Sequence, residues 1–200
     1  MLVLARHGEA TANAAGLLVG RSDVELTENG HRQAVALGRV LGPVSALVTS
    51  PLRRATDTAT ALGLGVPAVV DRRWIEVDYG ELEGRPLGEV PAEVWRRWHG
   101  DPAFRPDGGE SLAEVAQRVG DACAQLFADP GSGARSAGGD VVVVSHVSPI
   151  KAAVAWALGA DEATAWRLHL STGSITRIGW GATGPLLETF NEVPAPAPGR

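Results

Sequence analysis

Short apolar runs alternate along the chain with longer stretches in which apolar residues recur every three or four positions. Four of the runs predict buried strands, at residues 2–5, 46–49, 68–70 and 140–145. The valines at 141–144 show no polar alternation, which is typical of a central strand covered by helices on both faces. The helical spacing predicts helices at residues 28–41, 53–62, 111–127 and 150–158.

Strands that alternate with helices predict an α/β domain with a mostly parallel sheet, built as a three-layer α/β/α sandwich. Residues 175–180 and 186–190 are expected to add an antiparallel edge. Residues 1–193 are predicted to form a single domain, with an insertion near residues 80–110 beside the site. We expect a mobile surface loop at 129–139 and a disordered tail at 194–200, because both are rich in small residues or proline.

Composition and charge argue against several classes of protein, among them nucleic-acid-binding and membrane proteins. The 200 residues carry a net charge of −5, which argues against a nucleic-acid partner, whose binding face is basic. The single cysteine, Cys123, excludes an internal disulfide and a Cys-rich zinc site, and its apolar neighbours predict a buried, inert thiol. The opening apolar run stops at Arg6, too early for a membrane span, and lacks the order of a signal peptide. A cytoplasmic protein with no membrane partner is therefore expected.

Residues suited to phosphate chemistry follow several of the predicted strands. Because ligands bind at the carboxyl ends of parallel strands, we expect five of these residues to converge: Arg6, His7, Arg54, Glu76 and His146. Arginines bind phosphate oxygens, a neutral imidazole can attack phosphorus, and a carboxyl group can protonate the leaving oxygen. A lone histidine at a strand end is usually structural, so the prediction depends on the whole set. Near Glu76, the acidic residues Asp78, Glu81 and Glu83 leave open that the entire run is a solvated loop.

These motifs resemble the histidine phosphatase superfamily, which includes cofactor-dependent phosphoglycerate mutases and many small phosphatases. The matching segments occur in order at residues 6–9 with Asn13, 23–34, 50–59, 76–84 and 145–146, and the resemblance spans roughly residues 1–178. The chain departs from the family where Val147-Ser148-Pro149 replaces a frequent Gly-Gly, and where Lys151 replaces a frequent arginine.

The resemblance implies a phosphoglycerate mutase-like fold and a role for each site residue. His7 would be the nucleophile, Glu76 the proton donor, and the phosphate ligands would be Arg6, Arg54 and His146. Arg54 is preferred to Arg53 because the family's ligand directly precedes an alanine. No cofactor and no metal are implied.

Further substrate contacts are expected from Asn13, Arg21, Ser148 and Arg97. For Arg21 and Arg97 the alternative is a solvated surface. Trp95 and Trp98 share one helix face and belong either to the core or to an insertion that covers the site and contacts the substrate beyond its phosphate.

The function hypothesis is a metal-independent phosphatase that hydrolyses a small phosphomonoester through a phosphohistidine intermediate. One alternative is phosphoglycerate mutase-type phosphoryl transfer, although mutases of this family are usually longer. A second, from another class, is a non-catalytic phospholigand-binding protein, which would have no need of the proton donor Glu76. The expected partner is a small phosphorylated metabolite, and the chain is expected to be a monomer or a homodimer.

Overall fold

The computed structural model describes residues 1–128, 134 and 138–195. Among these residues the strands are β1 (Leu2–Arg6), β2 (Val44–Thr49), β3 (Ala68–Val70), β4 (Asp140–Ser145), β5 (Ile175–Gly181) and β6 (Gly184–Glu192). The α-helices are α1 (Thr11–Ala14), α2 (Glu28–Val40), α3 (Arg53–Ala61), α4 (Ala92–Gly100), α5 (Leu112–Ala128) and α6 (Val147–Leu158). Single 3₁₀ turns occupy Arg72–Trp74, Gly80–Leu82 and Leu87–Glu89, and a longer one Glu162–Arg167.

All six strands form one sheet in the order β3-β2-β4-β1-β5-β6. The first four are mutually parallel, whereas β5 pairs antiparallel with both β1 and β6. The valine strand β4 therefore lies between β2 and β1, as its uninterrupted apolar run predicted. The predicted antiparallel edge is also confirmed. The prediction of a buried strand at 68–70 is wrong in its burial, because β3 lies at the other edge of the sheet and all three of its residues are exposed.

Alternate residues of each central strand face opposite layers of the fold. Leu2 and Leu4 pack in a cluster with α5 and α6, while Val3 and Ala5 pack with α2 and α3. The valines of β4 divide in the same way between the two clusters. Because both faces of the sheet are buried by helices, the predicted three-layer α/β/α architecture is confirmed.

The helix ends follow local hydrogen-bonding signals. At the start of α5, the Ser111 hydroxyl accepts from the Glu114 amide at 3.2 Å, and the Glu114 carboxylate accepts from the Ser111 amide at 2.9 Å. This is the capping box that the sequence pattern indicates. Helix α6 begins at Val147, three residues before its predicted start. Pro149 is tolerated there because first-turn amides have no partner within the helix.

Residues 80–110 contribute α4 and a small separate core beside the main sheet. That core comprises Leu18, Leu82, Val90, Trp98, Phe104 and Leu112. Most of the predicted mobile loop (129–139) and residues 196–200 of the predicted tail lie outside the described residues. No helix in the described part of the chain is both long and apolar enough to span a membrane.

Candidate active site

The carboxyl edge of the sheet brings together groups from four separate segments. His7 follows β1 and His146 follows β4, and the centroids of their rings lie 5.0 Å apart. The His7 amide donates to the Ser145 carbonyl at 3.0 Å, which ties the ends of these neighbouring strands together. Arg54 comes from the first turn of α3, and Glu76 from the loop after β3. The predicted convergence of the five residues at one edge is therefore what the structure contains.

His7 is held as a neutral imidazole, and no hydrogen bond from the described residues engages its Nε2. Its Nδ1 lies 2.7 Å from the Gly8 carbonyl oxygen. Because a carbonyl only accepts hydrogen bonds, Nδ1 carries the proton and Nε2 keeps its lone pair. The side chain is only 3% exposed, and this burial, helped by the charges of Arg6 and Arg54, holds the pKa of His7 well below 6.5. At neutral pH the ring therefore has the protonation state that a nucleophile needs.

Arg54 is almost completely buried and fixed by backbone carbonyls. Its guanidinium donates to Ser22 O at 2.8 Å and to Gly20 O at 2.7 Å. The neighbouring Arg53 is exposed and pairs with Glu25 and Asp57 on the surface. The preference for Arg54 as the site residue is therefore consistent with its placement.

Arg6 is the second guanidinium of the cluster and donates to the Leu170 carbonyl. Burial lowers the pKa of Arg6 to about 10, so the group stays charged at neutral pH. Its Nε is buried and has no hydrogen-bond partner in the described part of the chain. Unpaired buried donors are rare in folded proteins, so this nitrogen is available to an acceptor such as a phosphate oxygen.

His146 is oriented by a serine from a neighbouring strand. Its Nε2 lies 2.7 Å from the Ser50 hydroxyl oxygen, while Nδ1 is buried without a partner among the described residues. Burial, followed by the charge of Arg54, holds the pKa of His146 well below 6.5. Ser50 was predicted only as part of the matching segment 50–59, without a role of its own; its place directly after β2 was the available signal for a site role.

Glu76 is buried in the cluster, with 3% of its surface exposed. Its Oε1 accepts from the Val77 amide at 2.8 Å and the Ser148 amide at 3.1 Å, and its Oε2 from the Val147 amide at 3.1 Å. The carboxylate thus closes the N-terminus of α6, where negative charge is favoured. The negative charge of this carboxylate also acts on both Arg6 and Arg54 and offsets part of the burial that lowers their pKa values.

The rest of the acidic run does not behave as one solvated loop. Asp78 accepts from the Gly80 amide at 2.9 Å, and Glu81 is exposed. Glu83 accepts from the amides of residues 20 and 22 at 2.9 and 3.0 Å. Glu83 therefore holds the loop whose carbonyls bind Arg54, and Glu76 is the one carboxylate of this run that is buried.

The four residues predicted to contact the substrate differ in their partners and in their distance from the cluster. The Asn13 side-chain oxygen accepts from the Ala10 amide at 3.0 Å at the start of α1, and Arg21 is paired with Glu110 at 3.0 Å. Ser148 lies in the first turn of α6 beside Glu76. Arg97 is not brought to the cluster, because it is exposed and its guanidinium carbon lies 4.3 Å from the centroid of the Phe104 ring.

No three His, Cys, Asp or Glu side chains lie close enough to hold a metal ion within residues 1–128, 134 and 138–195. The donors that the site does offer, guanidinium and imidazole N–H groups, are those that bind an anion.

A family profile described as "Histidine phosphatase superfamily (branch 1)" matches residues 2–193. The chain belongs to the histidine phosphatase superfamily. The resemblance seen in the motifs is thereby confirmed, and it extends beyond the 178 residues on which it was first based.

Relatives within the superfamily differ in name. A "Bifunctional protein" of Mycobacterium tuberculosis is 37% identical over 183 residues, which cover 88% of this chain and 49% of that protein. This chain thus spans about half the length of that relative. A "Probable phosphoglycerate mutase GpmB" of Cronobacter sakazakii is 36% identical over 205 residues, with 95% of this chain and 92% of that protein covered.

A solved structure supports the fold assignment. Mycobacterial glucosyl-3-phosphoglycerate phosphatase, in complex with VO3, superposes with a TM-score of 0.86 at 33% identity. The match covers 96% of this chain and 98% of that one. The phosphoglycerate mutase-like fold is therefore confirmed, and both phosphatases and a probable mutase are among the relatives.

Proposed function

We propose that this protein is a phosphomonoesterase that transfers the phosphoryl group of a small phosphorylated metabolite to Nε2 of His7 and then to water. The observation that carries the proposal is a buried, neutral His7 with a free Nε2 beside two guanidinium groups and a second imidazole. Two nitrogens of this cluster, Arg6 Nε and His146 Nδ1, are buried without a partner in the described chain. A phosphate would supply the missing acceptors and counter-charge.

In the first step, the Nε2 lone pair attacks phosphorus as the ester P–O bond breaks. A phosphate monoester that binds as its monoanion brings a proton, which Glu76 passes to the leaving oxygen, so the alcohol departs neutral and Glu76 is again the carboxylate of the structure. In the second step, that carboxylate takes a proton from water, whose oxygen attacks the phosphohistidine. Inorganic phosphate then leaves with this proton, and free His7 and the Glu76 carboxylate are regenerated. The three amides that bind the Glu76 carboxylate stabilise its ionised state between the two steps.

The positive charge of two arginines and an imidazole N–H group supply the remaining stabilisation. In this proposal Arg6, Arg54 and His146 contact the three non-bridging oxygens, whose charge the transition state spreads over the phosphoryl group. Because Gly20 and Ser22 already fix the Arg54 guanidinium, little reorganisation is needed on binding. The proposed reaction needs no metal. Chelation should leave the rate unchanged, whereas a large loss that added metal restores would contradict this step.

The phosphoenzyme can be tested directly. Enzyme mixed with ³²P-labelled substrate and quenched should carry a base-stable, acid-labile label at His7. His7→Ala should lose both label and turnover, whereas His31→Ala, which changes an exposed histidine of α2, should keep both. Full labelling of the His7→Ala protein would place the nucleophile elsewhere.

Hydrolysis is favoured over mutase chemistry by the surroundings of the site. A phosphoglycerate mutase must bind the substrate carboxylate and exclude water from its phosphoenzyme. The pocket next to the cluster is instead lined mainly by apolar side chains, with Lys151 its one charged lining residue among those described. Release of phosphate without interconversion of 2- and 3-phosphoglycerate, even with the bisphosphate primer, is expected. Rapid interconversion with little release would favour the mutase.

The location and the oligomeric state belong to the same proposal. A cytoplasmic setting is supported by Cys123, which is free and buried, as is usual where thiols stay reduced. We keep a monomer or homodimer as the expected assembly, which sedimentation analysis would decide.

A further inference from the structure

A pocket of about 270 Å³ opens beside the candidate active site, the cluster of Arg6, His7, Arg54, Glu76 and His146. Val77, Val147 and Ser148 line it, and the amides of these three residues are the ones that bind the Glu76 carboxylate. Tyr79 also lines the pocket. Burial, and then the negative charge of Glu76, raises the pKa of Tyr79, while the charge of Arg6 lowers it, so Tyr79 lies near both residues. In the proposed reaction Glu76 protonates the leaving oxygen. The group attached to that oxygen must therefore lie next to this pocket.

The pocket walls are mainly aromatic and aliphatic, and we call it the tryptophan pocket. Its principal residues are Leu18, Tyr79, Trp95, Trp98, Leu112 and Trp166. The rings of Trp95 and Trp98 stack with centroids 5.8 Å apart, and the Trp166 ring stands at steep angles to both, 6.2 Å from each. Trp98 is 1% exposed, so its ring is part of the small core as well as of the wall.

Few polar groups among the described lining residues are free to bind a hydrophilic leaving group; one is Trp98 Nε1, which is buried without a partner in the described chain. Burial raises the pKa of Tyr79 and an interaction with the Ser148 side chain lowers it, so these two hydroxyl groups lie beside each other. Lys151 follows Val147 by one helical turn and is the one charged group among the described residues that line the pocket. A sugar or glycerol group placed here would leave several hydroxyls unpaired, each at a substantial cost, whereas an apolar group gains with every methylene it buries.

We infer that the tryptophan pocket binds the leaving group of the substrate and that this group is apolar, either aliphatic or aromatic, with about six to ten carbon atoms. This inference rests on the proposed phosphomonoesterase function and names its substrate class. It separates this chain from the mycobacterial phosphatase, whose name gives glucosyl-3-phosphoglycerate as the compound it acts on.

A series of alkyl phosphates tests the inference with leaving groups of similar basicity. We expect kcat/KM to rise about two- to fourfold for each methylene from ethyl to hexyl phosphate, since each buried methylene contributes about fourfold at most. Glycerol 3-phosphate should be no better than ethyl phosphate. A flat series, or a preference for glycerol 3-phosphate over hexyl phosphate, would overturn the inference while leaving the phosphatase function intact.

A variant pair assigns the preference to the pocket. Trp166→Ala should lower kcat/KM at least tenfold for hexyl phosphate and less than twofold for ethyl phosphate. Trp180→Ala removes an indole that lies on β5, 42% exposed, and should change neither value. Equal losses on both esters in Trp166→Ala would assign the residue to folding. If Trp166→Ala does not fold, the substrate series on the wild-type protein decides.

Failure of the proposed function would be recognised separately. If no ester, including p-nitrophenyl phosphate, releases phosphate, the phosphatase assignment fails. Binding of 1-naphthol then tests the pocket alone, and quenching of tryptophan fluorescence measures that binding. Saturable quenching that is lost in Trp166→Ala supports an apolar subsite. Absence of quenching at millimolar 1-naphthol would overturn it.

Discussion

Replacing Glu76 by glutamine is expected to destabilise the fold as well as to slow the reaction. The glutamine oxygen can take the place of Oε1 and keep the amides of Val77 and Ser148 as donors. The glutamine NH₂ group would then face the Val147 amide, which now donates to Oε2, and two donors cannot bond. The substitution also removes the carboxylate charge that acts on Arg6 and Arg54.

The structure sets the size of this effect. A hydrogen bond to a charged acceptor contributes about 1.5–3 kcal/mol, and negative charge at a helix N-terminus adds about 0.3–2 kcal/mol. Together they give a loss of about 2–5 kcal/mol in unfolding free energy. For a chain of this length each kcal/mol lowers the melting temperature by about 2–4 °C, so a decrease of about 4–20 °C is expected.

Thermal unfolding at pH 7.5, followed by circular dichroism, provides the assay. Glu81→Gln is the matched control, because Glu81 belongs to the same acidic run but is exposed, and its melting temperature should change by less than about 2 °C. An unchanged or higher melting temperature in Glu76→Gln would refute the claim that the three amide bonds stabilise α6. In the same variant, single-turnover rates should fall about 10²–10⁴-fold on alkyl esters and clearly less on p-nitrophenyl phosphate.

Three further outcomes are expected. Folding holds the pKa values of His7 and His146 below 6.5, so the unfolded chain binds more protons than the folded chain as the pH falls below 6.5. The free energy of unfolding measured in urea should therefore be lower at pH 5.5 than at pH 7.5, by up to about 3 kcal/mol. Equal values at the two pH values would contradict this. Ser50→Ala leaves His146 Nε2 without its partner and should lower kcat/KM about tenfold in steady-state assays, with Ser45→Ala, at an exposed serine of β2, unchanged. Burial raises the pKa of Cys123, so a thiol reagent should label it only in denaturant; rapid labelling of the native protein would be inconsistent with its burial.

Much of the architecture follows from patterns within a few residues of one another. The unbroken valine run predicted a central strand, and β4 does lie inside the sheet with both faces covered. The Ser111 capping box marked the start of α5. Because parallel strands expose their carboxyl ends at one edge, the order of the motifs was also sufficient to predict that Arg6, His7 and His146 meet.

The protonation state and orientation of the site residues depend on contacts that no local pattern contains. His146 is oriented by Ser50, which is 96 residues away in the chain and becomes a neighbour only because β2 pairs with β4. The resemblance already indicated Glu76, but only the start of α6 supplied the amide donors that fix its carboxylate. Trp166 likewise joins Trp95 only when the turn after α6 packs against α4.

The physical reason for this division lies in the range of the forces involved. Strands and helices are specified by periodicity and caps over a few residues, which a sequence displays directly. Burial, by contrast, is a property of the assembled fold. Arg54 is buried whereas the adjacent Arg53 is exposed, and burial also lowers the pKa of His7. Arg97 is exposed and lies against Phe104, outside the cluster. The residue types at this site were therefore determined by the sequence, whereas their charge states and partners were decided only by tertiary packing.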